Sequence, residues 1–191
     1  MDMFKKVPVR EQDPKVRATN FEEVCYGYNK EEAVQEAQRC IGCKNAKCIE
    51  GCPVSIDIPG FIGKVKTGEI EEAYKILSQY TSLPATCGRV CPQENQCEGR
   101  CVRGIKGEAV SIGKLERFVA DAAAENNYSQ QAPAPSNGHK IAIVGSGPAG
   151  LACAGELARM GCDVTIFEAL HEPGGVLRYG IPEFRLPKQR I

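Results

Sequence analysis

Eight of the 11 cysteines in this sequence fall into two runs of four, and their types and spacing could do redox chemistry. The runs are Cys40, Cys43, Cys48, Cys52 and Cys87, Cys91, Cys97, Cys101. Two runs of four thiols are what two cubane [4Fe–4S] clusters need, since each iron takes one thiolate. Cys52 and Cys91 are each followed by proline, as in ferredoxins, where the Cys-Pro cysteine binds the other cluster. The spacing therefore predicts two clusters and a protein that carries electrons.

Three other roles for these cysteines remain open. Zinc also takes thiolates, and Cys40 and Cys43 have a zinc-type spacing. However, the sequence holds a single C-x2-C pair, and neither histidine lies near the runs. Disulfides are disfavoured because the cysteine count is odd and nothing resembles a secretory signal. The third role, small buried apolar residues, fits poorly with such a density of cysteines beside glycine and proline.

The composition is that of an ordinary globular chain. The 191 residues are 42% hydrophobic and 25% charged, and the formal net charge is zero, so nothing favours nucleic acid or an anionic membrane as a partner. No apolar run approaches the ~18 residues of a membrane span. The polar, proline-containing opening segment is expected to be an extended arm. Reduced cysteines without an export signal predict a cytoplasmic protein.

The expected fold class is a helical cluster domain followed by the opening βαβ unit of an α/β domain. The boundaries are residues 1–128 for the helical iron–sulfur domain, 129–138 for a Pro/Ala/Ser-rich linker and 139–191 for the second domain. Asn29 can cap a helix, with Glu32 in the capping-box position, and that helix delivers Cys40. Apolar spacing predicts further helices over residues 69–79 and from Ser111 onward. Bound metal would supply much of the folding energy of such a small domain.

The second domain opens with a dinucleotide-binding pattern. Strands are expected at Lys140–Val144 and Asp163–Phe167, with a glycine loop and a helix at Leu151–Arg159 between them. Gly145 allows the tight turn, Gly147 lets the backbone approach a pyrophosphate, and Gly150 lets helix and strand pack closely. Glu168 stands where an acid that binds ribose is expected. A glycine turn without a ligand is the alternative.

A series of longer motifs carries a family resemblance over nearly the whole chain. They are EAQRCIGC at Glu36–Cys43, CGRVCPQENQCEGRC at Cys87–Cys101, IVGSGPAGLACA at Ile143–Ala154 and PGGVLRYGIPEFRLPK at Pro173–Lys188. The chain resembles the N-terminal part of the small (beta) subunit of NADPH-dependent glutamate synthase. It is also similar to the large subunit of electron-bifurcating ferredoxin:NADP oxidoreductase (a transhydrogenase) and to the N-terminal part of dihydropyrimidine dehydrogenase.

The resemblance implies a crossed set of cluster ligands. The first cluster would take Cys40, Cys43, Cys48 and Cys101, and the second would take Cys52, Cys91, Cys97 and Glu116. Cys87 would stay free, and Cys25, Cys153 and Cys162 would be structural. From its residue type alone, Glu116 is interpreted as a solvated surface carboxylate, because charged residues are mostly exposed.

The resemblance also implies FAD in the second domain. Gly145, Gly147, Ala149 and Gly150 would lie at the pyrophosphate and Glu168 at the ribose. Gly175 and Val176 would pass close to the flavin, and Arg185 would lie near it. A surface position is the alternative for Arg185.

In such a family, NADPH passes a hydride to FAD and single electrons leave through the clusters to a large (alpha) subunit, which reduces the imine formed from 2-oxoglutarate and glutamine-derived ammonia. The sequence reaches Ile191 before the NADPH-binding segment of the family, so this part alone is expected to be inactive, and no catalytic residue is assigned. The bifurcating oxidoreductase and a non-catalytic metal-binding docking module are the alternatives.

Overall fold

The computed structural model describes residues 2–128 and 132–191. The chain forms two compact units, Met1–Asn20 with Val24–Gln130, and Phe21–Glu23 with Gln131–Ile191. Among the residues described, no helix has both the length and the apolar character needed to cross a membrane.

The first unit is mostly helical, with a small antiparallel strand pair near its start. Its strands and helices are β1 (Arg10–Glu11), α1 (Pro14–Arg17), β2 (Cys25–Gly27), α2 (Lys30–Gln38), α3 (Lys47–Glu50), α4 (Ile58–Thr67), α5 (Ile70–Ser78), α6 (Pro84–Val90) and α7 (Ile112–Asn126). Short 3₁₀ turns lie between α6 and α7, at Gln93–Asn95, Glu98–Arg100 and Val102–Ile105.

Local signals explain where the main helices begin and end. The predicted capping box of α2 is confirmed, since Asn29 accepts a hydrogen bond from Glu32 N at 2.8 Å and Glu32 accepts one from Asn29 N at 2.7 Å. Helix α4, which the periodicity analysis did not predict, is capped by Asp57, which accepts from Gly60 N at 3.0 Å. It ends at Gly68, whose φ of +81° suits the left-handed helix cap.

The core of the first unit lies between α2, α4, α5 and α7. Phe61, Val65, Leu77, Leu115 and Val119 are almost completely buried there. Burying one such large apolar side chain contributes about 1.5–3 kcal/mol. These helices form the frame on which the cysteine loops are held.

The opening segment was expected to be an extended arm. Its residues Lys6 and Val7 are instead hydrogen-bonded to the first unit. Val7 N donates to Glu36 Oε2 at 2.8 Å, and the Tyr28 hydroxyl donates to Val7 O at 2.7 Å. Lys6 Nζ also donates to Glu98 Oε2 at 2.6 Å. The segment therefore covers the buried end of α2.

The second unit contains β3 (Lys140–Val144), α8 (Pro148–Arg159), β4 (Asp163–Phe167) and α9 (Val176–Tyr179), followed by a 3₁₀ turn at Lys188–Arg190. Strands β3 and β4 are parallel and pair in register from Lys140 with Asp163 to Val144 with Phe167. Both predicted strands are confirmed. Helix α8 begins at Pro148, earlier than expected, because proline suits the first helical position.

Part of the predicted 129–138 linker is bound to the second unit. Ala134 N donates to Arg159 O at 2.9 Å, and Asn137 N donates to Gly161 O at 3.0 Å. A Cβ on Gly161 would lie 2.3 Å from Pro135 O, so this contact requires glycine. Residues 129–131 of the predicted linker lie outside the described residues.

Candidate iron–sulfur and dinucleotide sites

The four cysteines that the resemblance assigns to the first cluster line one pocket. Cys40 follows α2, Cys43 lies in the next loop, Cys48 lies in α3, and Cys101 separates two 3₁₀ turns. The rest of the wall is largely apolar and includes Ile41, Ile58, Ile62, Val110 and Ile112. Distant parts of the chain thus bring four thiols to one place with little competing polar chemistry.

Two thiols of this pocket, those of Cys40 and Cys48, are held in their neutral form by burial. Burial raises the pKa of Cys40, with Cys101 and Cys43 close enough to add to the shift. Burial also raises the pKa of Cys48 to about 11, and Cys101 and Cys40 add to it. Binding of metal to these thiols therefore requires release of their protons.

A buried ion pair holds the loops around this pocket. The Arg39 side chain, fully buried, donates to Glu36 Oε1 at 2.5 Å and to Glu108 O at 2.5 Å. Glu36 Oε1 also accepts from Ser111 N at 2.8 Å, and Arg103 Nε donates to Arg39 O at 2.8 Å. The sequence analysis missed this network, because Glu and Arg on a helix are usually exposed and no spacing marks them as buried.

The ligands assigned to the second cluster also lie together. Cys91 lies close enough to interact electrostatically with Glu116, Cys97 and Cys52. Cys97 interacts with Glu116 and Cys52 in the same way, and burial raises the pKa of Cys97 to about 12. One cysteine of the first run thus lies with two cysteines of the second run and a carboxylate from α7.

Glu116 is buried, so the alternative of a solvated surface carboxylate is wrong. The residue is 7% exposed, and its Oε1 has no hydrogen-bond partner among the described residues. Burial raises the pKa of Glu116 well above its usual value, and the nearby Cys87 makes a smaller contribution in the same direction. An unpaired buried carboxyl oxygen costs free energy unless something binds it, and iron bound by the neighbouring thiolates would do so.

Close packing of α6 on α7 brings these groups together. A Cβ on Gly88 of α6 would lie 2.7 Å from Arg117 Cα, so only glycine permits this approach. Arg89 of α6 donates to both carboxylate oxygens of Asp121 on α7, at 2.9 and 2.8 Å. Cys91, which follows α6 as its C-cap, is thereby fixed close to the α7 face that carries Glu116.

Within the described residues, no three His, Cys, Asp or Glu side chains converge as ligands of one metal ion. In a cubane cluster each thiolate binds a different iron, so its ligands need not converge on one point. The two donor sets, four thiols and three thiols with one carboxylate, have the number of ligands that two cubanes need.

In the second unit, the glycine loop has the geometry that the fingerprint predicts. Gly145 has a φ of +92°, which favours glycine. A Cβ on Gly150 would lie 2.0 Å from Gly145 O, so the helix packs tightly on the loop. A Cβ on Gly147 would meet nothing within 4 Å, which leaves open space in front of the N-terminus of α8. Free N–H groups at such a helix start suit a pyrophosphate.

Glu168 is bound to this loop through Ser146, a residue that the sequence analysis did not single out. Ser146 N donates to Glu168 Oε2 at 2.9 Å, and the Ser146 hydroxyl donates to the same oxygen at 2.5 Å. These bonds, with one from Leu170 N, lower the pKa of Glu168 to about 2. The Ser146 hydroxyl also accepts from Gly174 N at 3.0 Å. Ser146 therefore connects the glycine loop, the acid after β4 and the PGG segment.

The PGG segment passes directly over the glycine loop. Gly175 has a φ of +52°, and a Cβ there would lie 2.8 Å from Gly147 Cα. Val176 begins α9 and is exposed, and Ala149 lies in the first turn of α8. Arg185 is exposed, as in the surface position that was the alternative to a place near the flavin.

Comparison with known proteins identifies both parts of the chain. Residues 17–128 match the family described as dihydropyrimidine dehydrogenase domain II, 4Fe-4S cluster, and residues 143–186 match the NAD(P)-binding Rossmann-like domain. The glutamate synthase [NADPH] small chains of Escherichia coli (strain K12) and Halomonas elongata are 37% and 39% identical to it over 194 and 191 residues, or 98% and 97% of this chain. The NAD-dependent dihydropyrimidine dehydrogenase subunit PreT of Escherichia coli (strain K12) is 39% identical over 156 residues, or 82% of this chain.

The chain spans 41%, 40% and 38% of the lengths of these three relatives. The first match covers more than half of the chain and includes all eight cysteines of the two runs and Glu116. The chain therefore belongs to the 4Fe-4S family of dihydropyrimidine dehydrogenase domain II, and in it this domain is followed by a Rossmann-like nucleotide-binding segment.

Proposed function

We propose that this chain is part of an iron–sulfur flavoprotein oxidoreductase similar to the small subunit of NADPH-dependent glutamate synthase. It would pass electrons from NADPH, by way of FAD and two [4Fe–4S] clusters, to a partner subunit. The observation that carries this proposal is the grouping of the cysteines, because each group combines residues of both runs. The match of residues 17–128 to a 4Fe-4S family supports it.

The first cluster would be held by Cys40, Cys43, Cys48 and Cys101. These thiols line one largely apolar pocket, and the buried Glu36–Arg39 pair fixes the backbone on both sides of it. This apolar wall would limit the access of water to a bound cluster, and solvent exposure is one of the factors that set cluster potentials.

The second cluster would be held by Cys52, Cys91, Cys97 and Glu116. Support comes from the unpartnered Oε1 of Glu116 and from the rigid packing of α6 on α7. A carboxylate is a harder ligand than a thiolate, so this cluster would differ from the first in potential.

The nucleotide of the second unit would be FAD. When bound, FAD converts the electron pair of a hydride into single electrons that clusters can accept. The chain's own part is to hold its ADP end, with Gly147 and the start of α8 at the pyrophosphate and Glu168 at the ribose. The ionised Glu168 would repel a phosphate on the ribose 2′ position, which favours FAD or NAD over NADP at this site.

The partner would be a glutamate synthase large (alpha) subunit or another redox subunit. The names of the two glutamate synthase relatives favour the first and do not favour the bifurcating oxidoreductase. The PreT relative favours a dihydropyrimidine dehydrogenase subunit as the second candidate. A non-catalytic docking module is the least supported candidate. Such a module would not need a nucleotide-binding segment beside a 4Fe-4S domain, and this chain matches families of both kinds.

The first experiment measures iron, acid-labile sulfide and zinc in the chain after anaerobic purification and reconstitution. Two cubanes predict about eight iron and eight sulfide per chain and a brown protein. Half of that content would leave one cluster, and zinc without sulfide would replace the electron-transfer proposal with a zinc module.

A second experiment tests the acceptor. The chain is reduced with dithionite, freed of excess reductant and mixed with a glutamate synthase large subunit. Glutamine and 2-oxoglutarate together should restore the oxidised absorption of the clusters. Reoxidation by a dihydropyrimidine dehydrogenase partner, but not by the glutamate synthase large subunit, would favour a dihydropyrimidine dehydrogenase subunit as the function of this chain.

A further inference from the structure

One serine hydroxyl in the second unit is shared between the candidate ribose acid and the PGG segment. The Ser146 hydroxyl donates to Glu168 Oε2 at 2.5 Å and accepts from Gly174 N at 3.0 Å. An amide can only donate and an ionised carboxylate can only accept, so the direction of both bonds is fixed. Ser146 is 1% exposed, which leaves water little access to replace either bond. Both partners therefore depend on this one hydroxyl.

The hydrogen bonds of Glu168 give its two carboxylate oxygens different roles. Oε2 accepts from the backbone N–H of Ser146 at 2.9 Å as well as from its hydroxyl. These two bonds fill the acceptor positions of Oε2, since each carboxylate oxygen offers about two. Oε1 accepts from Leu170 N at 2.8 Å. A ribose hydroxyl would therefore have to bind Oε1, in an orientation that the bonds to Ser146 set.

The PGG segment depends on the same hydroxyl for its place over the glycine loop. Gly174 is buried, and its N–H is the group that donates to Ser146. The next residue, Gly175, packs so closely on the loop that a Cβ there would lie 2.8 Å from Gly147 Cα. Loss of the hydroxyl would leave the Gly174 N–H buried without this acceptor, which costs free energy unless the segment moves away. Removal of one oxygen atom would thus loosen the segment as well as the acid.

We propose that Ser146 is a positioning residue whose hydroxyl fixes the Glu168 carboxylate for an unphosphorylated ribose and holds the PGG segment over the glycine loop. This inference rests on the proposed function, because the second unit must bind the ADP end of a dinucleotide. A mobile carboxylate could turn away from a 2′-phosphate, whereas one held by Ser146 stays in place and repels it. Ser146 therefore contributes to the affinity for the nucleotide and to the choice between ribose and its 2′-phosphate.

The test uses the 191-residue chain with ADP-ribose and 2′-phospho-ADP-ribose as probes, and NMR measures both affinities and the exchange of backbone amides. Ser146→Ala should bind ADP-ribose about tenfold more weakly, as expected for loss of a hydrogen bond to a charged group, and should prefer it less over the 2′-phosphate. The Gly174 amide should exchange faster, with β3 and β4 unchanged. Ser146→Thr keeps the hydroxyl and should restore all three properties. Ser136→Ala, which removes a hydroxyl bonded to Gly138 N at 3.3 Å, is the matched control and should change none of them.

Each other outcome contradicts the inference. Loss of protection throughout β3 and β4 in Ser146→Ala would make the serine a residue of general structural importance. Equal weakening of both probes would show that it does not orient the acid, and unchanged affinities would leave it without influence. Equal losses in the alanine and threonine variants would point to altered packing. If the wild-type chain binds neither probe, the nucleotide part of the proposed function fails, and this result precedes any variant.

Discussion

Cys40 and Cys101 line the same pocket, although they belong to different cysteine runs and to different ends of the cluster domain. Between them in sequence lie α3, α4, α5 and α6, which include much of the domain core. A cluster bound by both residues would join the end of α2 to the segment that leads into α7. Metal binding would then stabilise the whole domain rather than one loop.

Exchange of Cys101 for serine should therefore remove one cluster and destabilise the first unit. We expect Cys101→Ser to lose about four of eight irons, since each cubane holds four. Cys87→Ser is the matched control within the same run and should retain nearly all its iron. Iron and sulfide assays with urea unfolding measure both effects. Equal loss of iron in the two variants would contradict the crossed ligand set.

Removal of the Glu116 carboxylate should leave one iron of the second cluster without a protein ligand. We expect Glu116→Ala to convert this cluster largely to a three-iron form, with the loss of about one iron per chain. Electron paramagnetic resonance of the oxidised protein detects that form. Glu116→Cys should restore the fourth iron.

Glu125 lies on the same helix and is exposed, so Glu125→Ala serves as the control for Glu116→Ala. A Glu116→Ala protein with both four-iron clusters intact and unchanged spectra would show that the carboxylate is not a ligand.

Loss of the Asp121 carboxylate should destabilise the contact of α6 with α7. The Arg89 side chain is 1% exposed and is paired with Asp121 by two hydrogen bonds. Asp121→Ala would remove both of these hydrogen bonds from the buried Arg89 guanidinium, at a cost of about 3–5 kcal/mol. Urea unfolding of the reconstituted chain measures this cost. Glu71→Ala removes an exposed ion pair with Lys75 and should change the stability little.

Two glycines of the nucleotide loop should respond differently to alanine. Gly150→Ala places a Cβ 2.0 Å from Gly145 O, so the helix must shift at a cost of about 1–3 kcal/mol, although alanine is the better helix former. Gly147→Ala meets nothing and should cost less, mainly as a poorer helix cap. Its Cβ would nevertheless obstruct a pyrophosphate.

Hydrogen exchange of the β3 and β4 amides and titration with ADP, followed by NMR, separate these effects. In Gly150→Ala we expect faster exchange of these amides. In Gly147→Ala we expect near-normal exchange and at least tenfold weaker binding of ADP. Unchanged ADP binding by Gly147→Ala would place the pyrophosphate elsewhere.

The 191-residue chain alone should retain FAD weakly or not at all. Val144 and Phe167, at the ends of β3 and β4, are 90% and 57% exposed, whereas parallel sheets are normally covered on both faces. We therefore also expect self-association through this sheet. We expect no oxidation of NADPH, because FAD, which would accept the hydride, is weakly bound or absent. Flavin content after purification, light scattering and dye reduction by NADPH test this. Stoichiometric flavin with measurable turnover would contradict it.

Short-range patterns predicted the longer helices and strands and the eight cysteines of the two runs, whereas Glu116 became a candidate ligand only through the family resemblance. The capping box at Asn29, the strands β3 and β4 and the glycine loop each depend on residues close together in sequence. The apolar periodicity of the sequence did not predict helices α4 and α6. Both begin with proline in the first turn, α6 is short, and α4 carries glycines that weaken its pattern.

Only the tertiary structure decided which candidates meet. Spacing predicts two runs of cysteines, but it does not show that Cys101 lies in the pocket of Cys40 or that Cys52 lies close to Cys91. The burial of Glu116 and the link from Ser146 to Glu168 likewise depend on how the elements pack. Local sequence sets backbone conformation, whereas burial and the pairing of charges arise from contacts between distant residues, which no spacing encodes.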